Sequence, residues 1–112
     1  MNVGVDIESI GRFARFHRKD KFIVNNFSQR EIQYCFAKSK PAQHLAVRFC
    51  AKEAVLKALN ATTKLSFKEI EIVHDKSGAP FVNILNNKYQ KKKVSVSLSH
   101  CKDFAVAYVL VK

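Results

Sequence analysis

Acidic side chains are scarce in this chain: nine Asp and Glu stand against 20 Lys and Arg, a formal net charge of +11 over 112 residues. So large an imbalance implies attraction to something anionic: nucleic acid, a phosphorylated cofactor, a membrane surface or an acidic protein. Long apolar runs are missing as well. The longest, Phe104 to Val111, is strand-length, and a membrane-crossing helix needs about 18–20 apolar residues. The N-terminus has no basic stretch, and Asp6 and Glu8 stand where a signal's apolar core would begin, so no export signal is expected. Cys35, Cys50 and Cys101 are odd in number and far apart. That spacing excludes a C-x-x-C metal or redox pair. Free, packing thiols in a reducing, cytoplasmic compartment are expected. No repeat, linker or low-complexity stretch interrupts the chain. Its length suits one domain, residues 1–112, with a modest core, and its 47 % apolar content is normal to slightly high.

The pattern changes character midway. Val3 to Ile7 reads as a short strand ending in acid, and Ile10 to roughly Ile23 as a helix carrying Arg12, Arg15, Arg18, Lys19 and Lys21 among Phe13, Phe16 and Phe22. Ser28-Gln29-Arg30-Glu31 is a capping-box pattern opening a second helix to about Lys38,. A third, long helix is expected from about Gln43 to Leu59. Beyond it Glu69–Val73 alternates, His74–Gly78 turns, and Pro80–Ile84 returns, a hairpin signal,. Asn86–Lys93 is a polar, basic connection. Val94–Ser99 alternates strictly, with Val94, Val96 and Leu98 on one face and three serines on the other,. His100–Asp103 turns the chain into the last strand. Helices first and hairpins after predict an α+β fold, an antiparallel sheet of hairpins packed around a long central helix.

That central helix is the most informative segment. Projected at 3.6 residues per turn, Val47, Cys50, Ala51, Ala54 and Ala58 form a small-residue face, and Leu45, Phe49, Leu56 and Leu59 a bulkier one. A helix apolar nearly all round is normally buried, yet this one carries Arg48, Lys52, Glu53 and Lys57. Buried charges are costly unless paired or liganded, so these four are candidate site residues. Asp6 and Glu53 supply carboxylates for a hard divalent cation such as Mg²⁺. Arg48, Lys52, Lys57 and His100 supply cations for phosphates. Metal, cations and positioning are the requirements of phosphoryl-group chemistry.

The N-terminal G-x-D-I (Gly4 to Ile7), the central R-F-x-A-K-E-A-x-x-K-A (Arg48 to Ala58), the G-x-P turn (Gly78 to Pro80) and the S-x-S-H hairpin (Ser97 to His100) occur in one order. In this the chain resembles the holo-[acyl-carrier-protein] synthases, small 4′-phosphopantetheinyl transferases, over nearly its whole length. The resemblance implies transfer of the 4′-phosphopantetheine arm of coenzyme A to a serine of apo acyl carrier protein, with release of adenosine 3′,5′-bisphosphate. It implies Asp6 and Glu53 as Mg²⁺ ligands and Lys57 and His100 on the coenzyme A phosphates. Arg48 and Lys52 would lie near the nucleotide, and Glu53 or water would take the serine proton. It implies Arg12 as a contact to the acidic carrier protein, and Arg15, Phe16 and Lys19 extend that surface. A homotrimer with sites between subunits, a place in fatty acid biosynthesis, and no membrane or nucleic-acid partner also follow from it. The chain departs from the family after the central helix, where Asn60-Ala61-Thr62-Thr63-Lys64 replaces a Gly-rich turn. It departs again at Glu8 and Ser9, to which no role is assigned.

Each residue also has a plainer use. Asp6 could cap a helix, Glu53 and Lys57 could form an ordinary i,i+4 pair, and His100 could be a turn residue. The row Arg12, Phe16, Lys19 could be a solvated basic face. His17, His44 and His74 lack metal-ligand spacing and read as surface, Tyr34 and the phenylalanines as core, with Phe13 and Phe16 partly exposed. Two other functions fit part of the pattern. A basic nucleic-acid-binding domain explains the charge but not the charged buried helix, and no reader motif is present. A catalytically silent binder of coenzyme A or carrier protein would not need both carboxylates.

Overall fold

In the computed structural model, which describes residues 1–60 and 64–112, the elements run β1 (Asn2–Ser9), α1 (Lys21–Asn26), α2 (Gln29–Phe36), α3 (Pro41–Leu59), β2 (Ile70–His74), β3 (Pro80–Ile84), β4 (Val94–His100) and β5 (Phe104–Val111). Short 3₁₀ turns at Ile10–Phe13 and Phe67–Glu69 link them. The fold is α+β, with two antiparallel sheets ordered β1-β5-β4 and β2-β3. The two hairpins form as expected. β1 joins no hairpin: it pairs with the far end of the chain, Asn2 opposite Val111 and Ser9 opposite Phe104.

Local chemistry explains most of the boundaries. Ser28 caps α2 through the expected capping box: its Oγ accepts from the Glu31 amide at 3.3 Å, and Glu31 accepts from the Ser28 amide at 2.9 Å. Pro41 starts α3, where its missing N–H costs nothing,. Asn60 ends α3 in the left-handed conformation (φ 53°), its amide donating back to Leu56 and Lys57,. The remainder of that departure, residues 61–63, lies outside the described residues. In the β2–β3 turn Asp75 accepts from the Ser77 and Ala79 amides, and Gly78 takes φ 90°,.

One expectation fails. Ile10 to Ile23 is not a helix: the chain makes one 3₁₀ turn, then bends, and α1 begins only at Lys21. Arg12, Arg15, Arg18 and Lys19 would have stood three or four apart with no acid between them, and like charges at that spacing destabilise a helix. Asp20 instead turns the chain, its carboxylate accepting from the His17 amide at 2.9 Å.

The small-residue face of α3 lies under the three-stranded sheet. Gly4 sits so close that a Cβ there would collide with the Ala54 carbonyl, and the Cys50 thiol donates to the Ala105 carbonyl at 3.3 Å. Burial pushes the Cys50 thiol up to about 12 and that of Cys35 to about 11, as expected of packing cysteines, while Cys101 is exposed. On the bulky face Phe49 packs against Phe13, Phe22 and Phe67. Phe13 is fully buried, not partly exposed.

Candidate active site

β1 alternates in an unusual sense. Gly4, Asp6 and Glu8 point toward α3, while Val3, Val5 and Ile7 point outward and are more than half exposed. Asp6 is thereby delivered to the helix as a mostly buried carboxylate. Lys57, one residue pair from the end of α3, donates to the Val5 carbonyl at 3.0 Å and stands 3.5 Å from Asp6 Oδ1. The other oxygen, Asp6 Oδ2, is buried with no hydrogen-bond partner. A buried, unpaired carboxylate oxygen is costly, and an oxygen-seeking divalent cation would satisfy it. Glu53 lies one turn before Lys57 on α3 and is half-buried, so Asp6 and Glu53 are the carboxylates this end of the helix could offer to Mg²⁺.

Glu8, which carries no role in the family motif, shares the inward face of β1 with Asp6. Burial first, and then the nearby Asp6 carboxylate, hold its carboxyl above the usual range, against Arg12. The i,i+2 spacing on a strand was the available signal.

Arg48 and His100 belong to a second cluster. Five residues separate Arg48 from Glu53, about 140° around the helix, so the two do not share a face. Arg48 is 2 % exposed. It donates to the His44 carbonyl at 3.2 Å, meets His74 Nδ1 at 3.3 Å and lies 4.2 Å over the Tyr34 ring, while its Nε has no partner. A cavity of about 190 Å³ joins Tyr34, His44, Arg48 and His74 to Ser99 and His100 at the end of β4. His44 and His74 are therefore not plain surface residues. Burial first, then the Arg48 and Lys38 charges, lower both imidazoles below their ordinary value.

Lys52 belongs to neither cluster, which corrects its assignment to the nucleotide. It is fully buried, its ammonium 2.6 Å from Glu31 and donating to the carbonyls of Phe67 and Ile70. Burial lowers its pKa, and Glu31 opposes that shift. Glu31 also accepts from the Ile72 amide at 3.0 Å. The ammonium's donors are all used inward, tying α2, α3 and β2 together.

The residues expected to meet the carrier protein are rearranged too. Without a helix over Ile10–Ile23, Arg12, Phe16 and Lys19 do not form a helical row. Phe16 stacks on Phe22 at 4.6 Å and is half-buried, with Arg15 over its ring. Arg12 pairs with Glu8 at 2.7 Å and lies 5.1 Å from the Phe49 ring, its side chain 46 % exposed. Lys19 is exposed.

The family model for the 4′-phosphopantetheinyl transferase superfamily matches residues 2–109. The chain belongs to this superfamily of transferases. Among its relatives are holo-[acyl-carrier-protein] synthases of Clostridium acetobutylicum, 44 % identical with 98 % of this chain and 95 % of that protein covered, and of Thermodesulfovibrio yellowstonii, 40 % identical with 97 % and 96 % covered. Solved structures agree. The Helicobacter pylori holo-[acyl-carrier-protein] synthase in complex with coenzyme A superposes with a TM-score of 0.84 at 33 % identity, covering 98 % of this chain and 99 % of that one. The Bacillus anthracis enzyme in complex with coenzyme A (3′,5′-ADP) gives 0.82 at 32 %, covering 98 % and 94 %. Among the described residues, no helix is long and apolar enough to cross a membrane.

Proposed function

We propose that this protein is a cytoplasmic, Mg²⁺-dependent, single-domain holo-[acyl-carrier-protein] synthase serving fatty acid biosynthesis. It transfers the 4′-phosphopantetheine group from coenzyme A to a serine of apo acyl carrier protein. The observation that carries the metal reading is the unpaired, buried Asp6 Oδ2 beside Lys57.

Asp6 and Glu53 would hold Mg²⁺, which when bound offsets the charge of the coenzyme A diphosphate. Lys57 reaches the same end of the site and places a cation on the phosphate. Arg48 and His100 hold the nucleotide phosphates from the second cluster. The serine oxygen forms a bond to the phosphorus that carries the pantetheine, and that phosphorus loses its oxygen link to the departing adenosine 3′,5′-bisphosphate. The serine proton passes to Glu53 or to water. Cations around the leaving group favour the step because its charge grows there. Arg12, Arg15 and Lys19 give the acidic carrier protein its docking surface, with Phe16 as an apolar contact at its edge.

A homotrimer with sites between subunits accounts for two further features. Val3, Val5, Ile7, Phe104 and Tyr108 expose a continuous apolar sheet face, larger than isolated surface residues require. The two clusters also occupy different faces of α3, so one copy's carboxylates can meet another copy's Arg48 and His100.

The test is incubation with coenzyme A, Mg²⁺ and an apo acyl carrier protein, followed by intact mass of the carrier. A gain of one phosphopantetheine is expected, lost on chelation and in a folded Glu53→Ala variant. Normal turnover by Glu53→Ala would remove the carboxylate from the mechanism.

A further inference from the structure

His74 comes from the β2–β3 hairpin, 26 residues beyond Arg48, yet meets the Arg48 guanidinium at 3.3 Å. A guanidinium has only donors, so the imidazole accepts at Nδ1 and is neutral with its proton on Nε2. The His74 ring also stacks on Tyr34, 5.3 Å between centroids and 19° from parallel, and the same Tyr34 ring lies 4.2 Å under the guanidinium. Arg48 is thus held by the His44 carbonyl, the Tyr34 ring and His74. Of these, His74 is the one whose bond disappears when a proton is added near neutrality.

We propose that His74 is a positioning residue for Arg48, and that protonation of its imidazole on acidification releases the guanidinium and weakens coenzyme A binding. The inference rests on the reading of Arg48 as a phosphate-holding residue. Protonated His74 would offer a donor where Arg48 needs an acceptor and add a second positive charge beside the first. The surroundings do little to offset that charge. Arg30 and Tyr34 face the site from α2, Lys38 from the bend after it, His44 and Arg48 from α3, and His100 from β4. Asp75 on its own hairpin is exposed, and Glu71 on β2 is already bonded to Ser28, Arg30 and Asn83. Burial and the neighbouring cations accordingly hold His74 below its ordinary value.

The experiment measures KM for coenzyme A against pH in the wild type, His74→Asn and His74→Ala. An asparagine oxygen can accept from Arg48 but does not titrate. In the wild type KM should rise as pH falls below about 6.5, with kcat changing much less. His74→Asn should lose that limb while keeping the neutral-pH KM. His74→Ala should raise KM about fivefold throughout, the size of one net hydrogen bond. Every other titratable group is common to the three proteins, so the difference isolates His74. A KM that falls on acidification in the wild type alone would make His74 a direct phosphate contact and overturn the proposal, as would identical profiles. Histidine ¹H–¹⁵N correlation spectra of the free protein provide a readout independent of activity. The Nε2–H tautomer is expected for His74, with its pKa rising in Arg48→Gln; the Nδ1–H tautomer would refute the hydrogen bond. Absence of transfer at every pH, with the expected tautomer intact, would refute the transferase reading instead.

Discussion

Replacing Lys52 by methionine separates a structural from a catalytic reading of the central motif. The ammonium is fully buried, 2.6 Å from Glu31, and donates to the Phe67 and Ile70 carbonyls. Methionine fills most of the volume but leaves the Glu31 carboxylate buried without its counter-charge and takes the ammonium donor away from the Phe67 and Ile70 carbonyls. Removing one partner of a buried ion pair costs about 3–5 kcal/mol, a large share of the roughly 5–15 kcal/mol that holds a domain folded. With a urea dependence of about 2 kcal/mol per molar, the unfolding midpoint should fall by about 2 M. Followed by circular dichroism at fixed protein concentration, that drop should accompany a KM for coenzyme A within twofold of wild type at low temperature. The double variant Glu31→Leu/Lys52→Met should cost less than the sum of the single changes, since no charge is stranded. It should still cost something, because the Ser28 and Ile72 amides lose their acceptor. An unchanged midpoint with a tenfold rise in KM would return Lys52 to the coenzyme A site and refute the reasoning.

Gly4→Ala should lower the melting temperature by several degrees, since overpacking costs about 1–3 kcal/mol and the Ala54 backbone cannot yield as a side chain would; an equally stable variant would contradict the close approach of β1 to α3. Arg12→Glu should raise KM for carrier protein far more than for coenzyme A, and equal effects on both would remove Arg12 from docking. His44 and His74 are lowered from 6.5 in the folded protein. As pH falls, the unfolded chain takes up protons first, so their contribution to stability is complete above about 6.5 and lost as pH drops through the folded values. Urea midpoints measured from pH 7.5 to 5.5 should therefore decline, less steeply in a His44→Gln/His74→Asn double variant. An identical slope in that variant would exclude these histidines as the cause.

The parts of the fold legible in the sequence were those with local causes. Ser28 and Glu31 sit three apart and close a capping box wherever a helix begins after them. The turn between β2 and β3 needs little beyond Asp75 and Gly78. The alternation of β4 survives intact, its serines exposed and its apolar residues half-buried. The expected helix over Ile10–Ile23 does not form because the repulsion of neighbouring cations outweighs the helical spacing of the phenylalanines. The outward face of β1 was hidden for a different reason: Val3, Val5 and Ile7 look like core residues, and only the position of α3 puts Gly4, Asp6 and Glu8 inside.

The four charges of the central helix divide what each level decides. Composition and periodicity already place Arg48, Lys52, Glu53 and Lys57 on a helix too apolar to be a surface helix, in a motif whose composition suits phosphate and metal chemistry. Their separate fates come from contacts with distant segments. Lys52 became structural because Glu31 arrives from α2, 21 residues earlier, to meet it in the core. Lys57 stayed at the surface because it reaches the edge of β1 beside Asp6. His74, unremarkable in the sequence, came to Arg48 on a hairpin formed after the helix. A helix's own periodicity says which side chains share a face. What lies opposite that face depends on segments far away in the chain, and for a charged group the opposing partner determines whether burial is a cost, a bond or a site.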